Sequence, residues 1–323
     1  MSPGLLETAS APAKATANWV EGLSETAFAY LLLAPMLLLF GVIAFWPLAS
    51  TFEMSLRADS LAGAENIGPF VGLENYVDLA TGQRDAVMPR PFLDLDQPFR
   101  SALTVTIIFA VVSVAIETII GFGQALVLDQ EFKGRRWLRV AIILPWAIPI
   151  VIQGMIFYLL FVPGIGIATE PLQQLGIFGS TPLSNPVDSL IIIVIADVWK
   201  TAAFMALIIL AGLQSIDRSL YNVGRVAGAT ALQRFRYITL PLVMPAVLIA
   251  MLFRTIDAMR VFGLIETVSD CTVVPSLSCM VVQTFGARRY GTSAAIAFIT
   301  AAIIAVFVMV YIVQFARSEE GLL

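Results

Sequence analysis

Histidine is absent from the 323 residues, and charge is scarce: Asp, Glu, Lys and Arg make up 13% of the chain. The missing histidine excludes Ser-His-Asp and Cys-His catalytic sets, His-ligated zinc and His proton relays. No G-x-x-x-x-G-K-[ST] segment occurs, so the chain carries no P-loop ATPase site. It has no G-x-S-x-G elbow and no paired CxxC, and its two cysteines are Cys271 and Cys279. Lysine is nearly missing too, three residues against sixteen arginines. The formal net charge is −4 with no basic run, so nucleic acid is not an expected partner. What is abundant is apolar: 59% hydrophobic residues and a mean hydropathy of +0.88. Soluble domains average about 45–50% apolar and about 25% charged. The solvent of this chain is therefore mostly lipid.

A spanning helix needs about 20 mostly apolar residues. Six stretches qualify, at 28–48, 103–128, 140–162, 190–213, 238–262 and 293–315. The fifth is interrupted by Pro241, Pro245 and three charges. The expected fold is all-α, a polytopic integral membrane domain of six transmembrane helices over 27–316. The N-terminal stretch lacks the charged region and cleavage site of a signal peptide. Segments 1–26 and 317–323 are expected to be cytoplasmic end pieces.

Lys and Arg set the orientation. Lys133, Arg135, Arg136 and Arg139 follow the second span, and Arg218, Arg225, Arg234 and Arg236 follow the fourth. The three other loops hold six basic residues over a much longer stretch. The two short basic loops are thus expected in the cytoplasm, with both termini inside and the loops at 51–100, 163–189 and 263–292 outside. Cys271 and Cys279 then share an external loop, where a disulfide can persist. Seven intervening residues, bent by Pro275, allow it to close. The alternative is two free thiols.

In the loop at 214–237, Leu220, Val223 and Val226–Ala227 recur at helical spacing, with Arg218, Asn222 and Arg225 on other faces. Gly228 permits a sharp turn afterwards. This describes a short amphipathic helix outside the bilayer, resting on lipid headgroups or docked to a partner. The longer stretch 216–247, IDRSLYNVGRVAGATALQRFRYITLPLVMPAV, resembles the cytoplasmic signature of binding-protein-dependent ABC transporter permeases. Asn222-Val223-Gly224 occupies the Glu-Ala-Ala slot, Gly228 and Ala229 match the Gly-Ala, and Ile238, Leu240 and Pro241 match the closing Ile-x-Leu-Pro. Asn222 and Ala227 stand where the family usually has Glu and Asp. Phe70-Val71-Gly72-Leu73-Glu74-Asn75-Tyr76 is similar to the F-x-G-L-x-N-Y element of sugar-type permeases, and Leu144–Pro149, LPWAIP, resembles the start of their third span.

The resemblance implies a type I ABC importer permease fold and residues that couple to an ATPase: Leu220, Asn222, Val223, Gly224, Arg225, Ala227, Gly228, Ala229 and Pro241. It further implies a transport subunit in the cell membrane, without an ATPase site or cofactor of its own. The partners would be a second permease, two cytoplasmic ATPase subunits that bind ATP and Mg, and an external solute-binding protein. The implied cargo is a sugar, a disaccharide such as trehalose or maltose. An ion-coupled secondary transporter, or an ABC permease for a non-sugar solute, is the alternative.

Ionisable residues inside spans cost about 2.5–3.5 kcal/mol each at a helix centre and should face protein or water. Asp197 and Lys200 are three apart, and Arg254 and Asp257 repeat that spacing in reverse order. The two pairs are expected to form one four-charge network, which either glues the bundle or lines a polar sugar cavity. Gln153, Tyr158 and Trp199 are the candidate neighbours for sugar hydroxyls and ring faces. Glu117 stands apart, expected to hydrogen-bond a neighbouring helix. Gly121 and Gly123 are expected close-packing positions.

Overall fold

In the computed structural model of the chain, residues 24–60 and 67–320 are described. The N-terminal segment expected at 1–26 lies almost wholly outside them. The chain divides into two units, Met1–Met54 and Ser55–Leu323.

The first unit holds nearly all of α1, Glu25–Ser55, whose 31 residues reach about 46 Å, more than the ~30 Å hydrocarbon core. Ser24 caps its start, its hydroxyl accepting from the Ala27 N–H at 3.3 Å. A π-turn at Gly41–Phe45 loosens the middle without breaking the helix.

The second unit is a bundle with small peripheral elements. A short antiparallel hairpin, β1 (Arg57–Asp59) and β2 (Ile67–Phe70), pairs Arg57 with Phe70 and leads to α2 (Glu74–Ala80). The long helices are α3 (Ala102–Asp129), α7 (Pro186–Gln214), α9 (Ala231–Ala258) and α12 (Tyr290–Glu320). Between them lie α4 (Arg135–Ile143), α5 (Ile150–Phe161), α6 (Thr169–Gln174), α8 (Arg218–Val226), α10 (Gly263–Val268) and α11 (Leu277–Gly286).

The third span is not straight. The helical stretch Arg135–Ala147, which includes α4, and α5 meet at 93°. Pro145 and Pro149 lack an N–H to continue an α-helix, so LPWA tightens into a 3₁₀ turn and the chain swings at Ile148. Leu138 and Ile142 of α4 pack by Ala125 and Leu128 near one end of α3, while Phe157 and Phe161 of α5 pack with Val105 and Phe109 near the other. The bent pair therefore traverses the bundle once, and with the five long apolar helices it brings the candidate spans among the described residues to six. The prolines that interrupt the fifth apolar stretch do not break its helix. It runs unbroken through Pro241 and Pro245, with a π-turn at Phe235–Thr239 just before the first proline. Such a local adjustment re-satisfies the backbone groups a proline frees. Loop 214–237 is correspondingly short, because α9 already begins at Ala231. The last helix continues to Glu320 through most of the expected tail, and the stretch 263–292, expected as a loop, is largely helical, as α10 and α11.

Helices α3 and α7 form the centre. Gly121 lets them touch: a Cβ there would lie 2.5 Å from the Met205 Cβ. Gly123, in contrast, has open space around it and packs against no other part of this chain among the described residues. One apolar cluster gathers Phe109, Ile192, Ile193, Met259 and Ile265, and another gathers Leu128, Met205, Ile209 and Val243.

Outside the bundle, Arg84 is a hub. Its guanidinium reaches Asp59 at 3.0 Å, Asp78 at 3.0 Å, the Asn75 carbonyl oxygen at 2.8 Å and the Thr292 hydroxyl at 2.9 Å. Asn75, fully buried, donates to the carbonyls of Ser55 and Arg57, both at 2.8 Å. Tyr76 OH lies 2.7 Å from the Ser55 hydroxyl. The Asn and Tyr of the F-x-G-L-x-N-Y element thus hold the chain leaving α1 against α2. Gly72 of that element has φ +61°, a left-handed turn suited to glycine.

Candidate functional site

Arg254 lies at the centre of the charges within the bundle. It is 3% exposed and faces three carboxylates on three elements. Its Nε donates to Glu117 Oε2 at 2.6 Å and its Nη2 to Glu117 Oε1 at 2.9 Å, a two-point pair between α9 and α3. Nη2 also reaches Asp197 Oδ2 on α7 at 2.8 Å, and Nη1 reaches Asp257 Oδ2 at 2.6 Å. A planar guanidinium with five donors suits such multiple pairing, whereas an ammonium is a compact point charge.

This changes the expected pairing. Glu117 does not stand apart but is the fully buried two-point partner of Arg254. Asp197 pairs with Arg254 and not with Lys200, which makes no ion pair among the described residues. The network is three carboxylates around one arginine, with Lys200 outside it. Its member missed from sequence, Glu117, carried a legible signal: a carboxylate inside a span needs a cation, and Arg254 and Lys200 are the cations well inside the spans.

A cleft of about 120 Å³ opens on this network, lined by Phe109, Ile150, Asp197, Arg254, Asp257 and Arg260 among others. Asp257 turns a side chain that is 67% exposed toward open space. The other substrate candidates lie elsewhere. Gln153 is buried and donates its amide to the Ala196 carbonyl at 2.5 Å, tying α5 to α7 as a buried amide must. Trp199 and Tyr158 are exposed on the bundle, and Trp199 stacks obliquely on Phe157 at 5.8 Å. None of these three lines the cleft.

At the opposite end of α9, the loop after α7 is built from local signals. Asp217 caps α8: its carboxylate accepts from the Ser219 N–H at 2.8 Å, and that backbone bond holds its pKa below the ordinary value. After Val226 the helix closes in a Schellman motif, with Ala229 N–H bonded to Gly224 O at 2.9 Å and Gly228 N–H to Arg225 O at 3.0 Å. Gly228 adopts φ +78° there. Thr230 and Gln233 then form a capping box that starts α9. Gly224 faces the first turns of α9, with Ile238 and Arg234 3.3–3.4 Å from where a Cβ would sit. Tyr221 OH meets the Thr239 hydroxyl at 3.0 Å. Leu220, Val223 and Val226 remain exposed, Val226 to 90%. Ala227 is the C-cap, and Pro241 follows the π-turn inside α9.

Residues 117–320 match the family described as binding-protein-dependent transport system inner membrane component.

The chain belongs to that family.

Among relatives of this permease, the trehalose/maltose transport system permease protein MalF of Thermococcus litoralis is 35% identical over 291 residues, 89% of this chain and 93% of that one. The trehalose transport system permease protein SugA of Mycobacterium tuberculosis is 31% identical over 301 residues, 93% of this chain and 92% of that one. A crystal structure of a bacterial ABC transporter involved in importing the acidic polysaccharide alginate superposes with a TM-score of 0.70 at 21% identity, covering 90% of this permease and 95% of that chain. That likeness establishes the fold. The segment with the Schellman turn and the cluster around Arg254 both fall inside the matched residues.

Cys271 and Cys279 are joined in the structure, their Cα atoms 5.6 Å apart, between α10 and the start of α11. Both are buried in the apolar cluster that includes Phe109 and Val268.

Proposed function

We propose that the chain is one of two permease subunits lining the pathway of an ATP-driven sugar importer, with a disaccharide of the trehalose or maltose kind as cargo. The observation that carries this is the near full-length match to permeases named for those sugars, at 31–35% identity. The second permease, two ATPase subunits holding ATP and Mg, and an external solute-binding protein complete the assembly. The end carrying α8 faces the cytoplasm, since Lys133, Arg135, Arg136, Arg139, Arg218, Arg225, Arg234 and Arg236 lie in the segments at that end. Both termini lie on that side.

In this reading α8 is the coupling element and no substrate bond is made or broken by the chain. When the ATPase subunits close, the exposed Leu220–Val223–Val226 stripe moves with them. Gly224 packs against Ile238 and Arg234, so the displacement passes to α9. That helix is continuous from Ala231 to Ala258, and it carries Arg254 and Asp257 about 35–39 Å from its start. A stiff rod thus joins the motor contact to the polar cleft. At the cleft, the guanidinium and the exposed Asp257 oxygens offer a donor and an acceptor for sugar hydroxyls.

The test is to co-purify the chain with its partners and measure uptake into proteoliposomes across a panel of sugars and amino acids. ATP-dependent uptake of trehalose or maltose is expected. Uptake driven by a proton or sodium gradient without ATP would sink the proposal.

A further inference from the structure

A second cleft, about 330 Å³ in volume, opens beside α8, between the ends of α3 and α7 and the start of α9. Arg218, Arg225 and Arg234 line it, and Asp129 is the one carboxylate in its wall. Asp129 is already engaged, accepting from Arg218 Nη2 at 2.7 Å. The partners found for the other two guanidiniums are neutral. Arg225 donates to the Asn222 side-chain oxygen, and Arg234 to the Ala229 carbonyl at 2.7 Å. Over residues 218–253 the sequence has four arginines and no Asp or Glu. The two positions where a carboxylate would be expected from the family signature are Asn222 and Ala227. Beside the cleft, Val223 and Val226 are 67% and 90% exposed. Basic residues near a membrane surface fix orientation, but orientation alone requires neither the loss of both acids nor an exposed apolar stripe beside the arginines.

We propose that this cleft takes a carboxylate, an Asp or Glu side chain of the ATPase subunit that docks on α8. It enters between Arg225 and Arg234, while Val223 and Val226 enter an apolar groove of the same subunit. The inference rests on the ATPase-docking reading above and adds the sign of the partner's charge. A guanidinium pairs a carboxylate through two parallel N–H bonds, and such a pair sets partner choice as well as affinity. Asn222 then has a task its usual acidic counterpart could not perform. As a neutral acceptor it orients Arg225 without cancelling its charge.

The experiment uses the assembled transporter in phosphatidylcholine nanodiscs and reads sugar-stimulated ATP hydrolysis. Arg225→Glu is expected to lower the rate about tenfold or more, and Arg225→Lys, which keeps the charge but not the two-point pair, to fall between it and the unaltered complex. Changing one Asp or Glu of the ATPase docking groove to Lys is expected to restore the Arg225→Glu complex. An unchanged rate in Arg225→Glu, or a loss that no groove reversal restores, overturns the proposal. Val226→Asp separates the two levels. If it uncouples while Arg225→Glu does not, docking stands and the carboxylate falls; if neither has an effect, docking falls as well. A loss confined to phosphatidylglycerol nanodiscs would assign Arg225 to lipid headgroups and overturn the proposal.

Discussion

Arg84 donates to the Thr292 hydroxyl at 2.9 Å across 208 positions of sequence. Through that bond, and through Asp59, which accepts from the Thr292 N–H at 3.0 Å, the chain leaving α1 is fixed to the start of α12. Gly291 completes the contact, because a Cβ there would lie 2.1 Å from the Arg57 carbonyl oxygen, a backbone atom that cannot step aside.

Two substitutions probe this clamp. Asn75→Ala removes two buried bonds to the carbonyls of Ser55 and Arg57 and the acceptor of Arg84 Nη2, at about 0.5–1.5 kcal/mol for each bond lost. Gly291→Ala forces the hairpin off α12. Both are expected to lower the thermal midpoint of the detergent-purified complex, while Glu74→Ala, on the exposed face of α2, leaves it unchanged. Equal midpoints for all three would show that the clamp bears no load.

Arg254→Ala strands three carboxylates, and removing one partner of a buried pair costs about 3–5 kcal/mol. The variant is expected to lose most of its folded yield in size-exclusion chromatography. Arg254→Lys should recover little, since one ammonium cannot make the two-point pair to Glu117 while also reaching Asp197 and Asp257.

Asp257 is the network member most open to the cleft, so Asp257→Asn should fold. If sugar hydroxyls bond there, the sugar concentration for half-maximal ATPase stimulation rises about tenfold, the scale of one lost bond to a charged group. An unchanged dependence would make the cluster structural.

Gly228→Val places a β-branched residue at φ +78°, where even an unbranched residue costs about 1–2 kcal/mol. The Schellman turn should open and α8 lose its fixed angle to α9. ATP hydrolysis is expected to continue while uptake falls, in a complex that still assembles. Gly228→Asn, which tolerates the left-handed region better, should keep most uptake.

The paired cysteines are expected to resist maleimide labelling in the denatured protein until a reductant is added. Cys271→Ser with Cys279→Ser should lower stability by about 2–3 kcal/mol for so short a loop. Ready labelling without reductant would mean that two free thiols occupy the site.

What depends on neighbours along the chain was legible from the order of residues. Apolar runs of spanning length give the six spans, because lipid forces each backbone to satisfy itself within one helix. Asp217, Gly228 and Thr230 mark the ends of α8 and the start of α9 because capping is local, closed within a few residues. The match of residues 216–247 to a family signature was legible for the same reason. Tertiary structure alone decided which charge meets which. Spacing made Asp197–Lys200 look like a pair, yet the rotation and depth of α3, α7 and α9 bring Glu117 and Asp197 to Arg254, across 137 and 57 positions. It also engaged Gln153 in a tie between α5 and α7, and made Asn75 and Arg84 into a clamp. A side chain inside a bilayer bonds to whatever polar group reaches it first, and reach is set by packing between helices, which the order of residues along any one helix does not record.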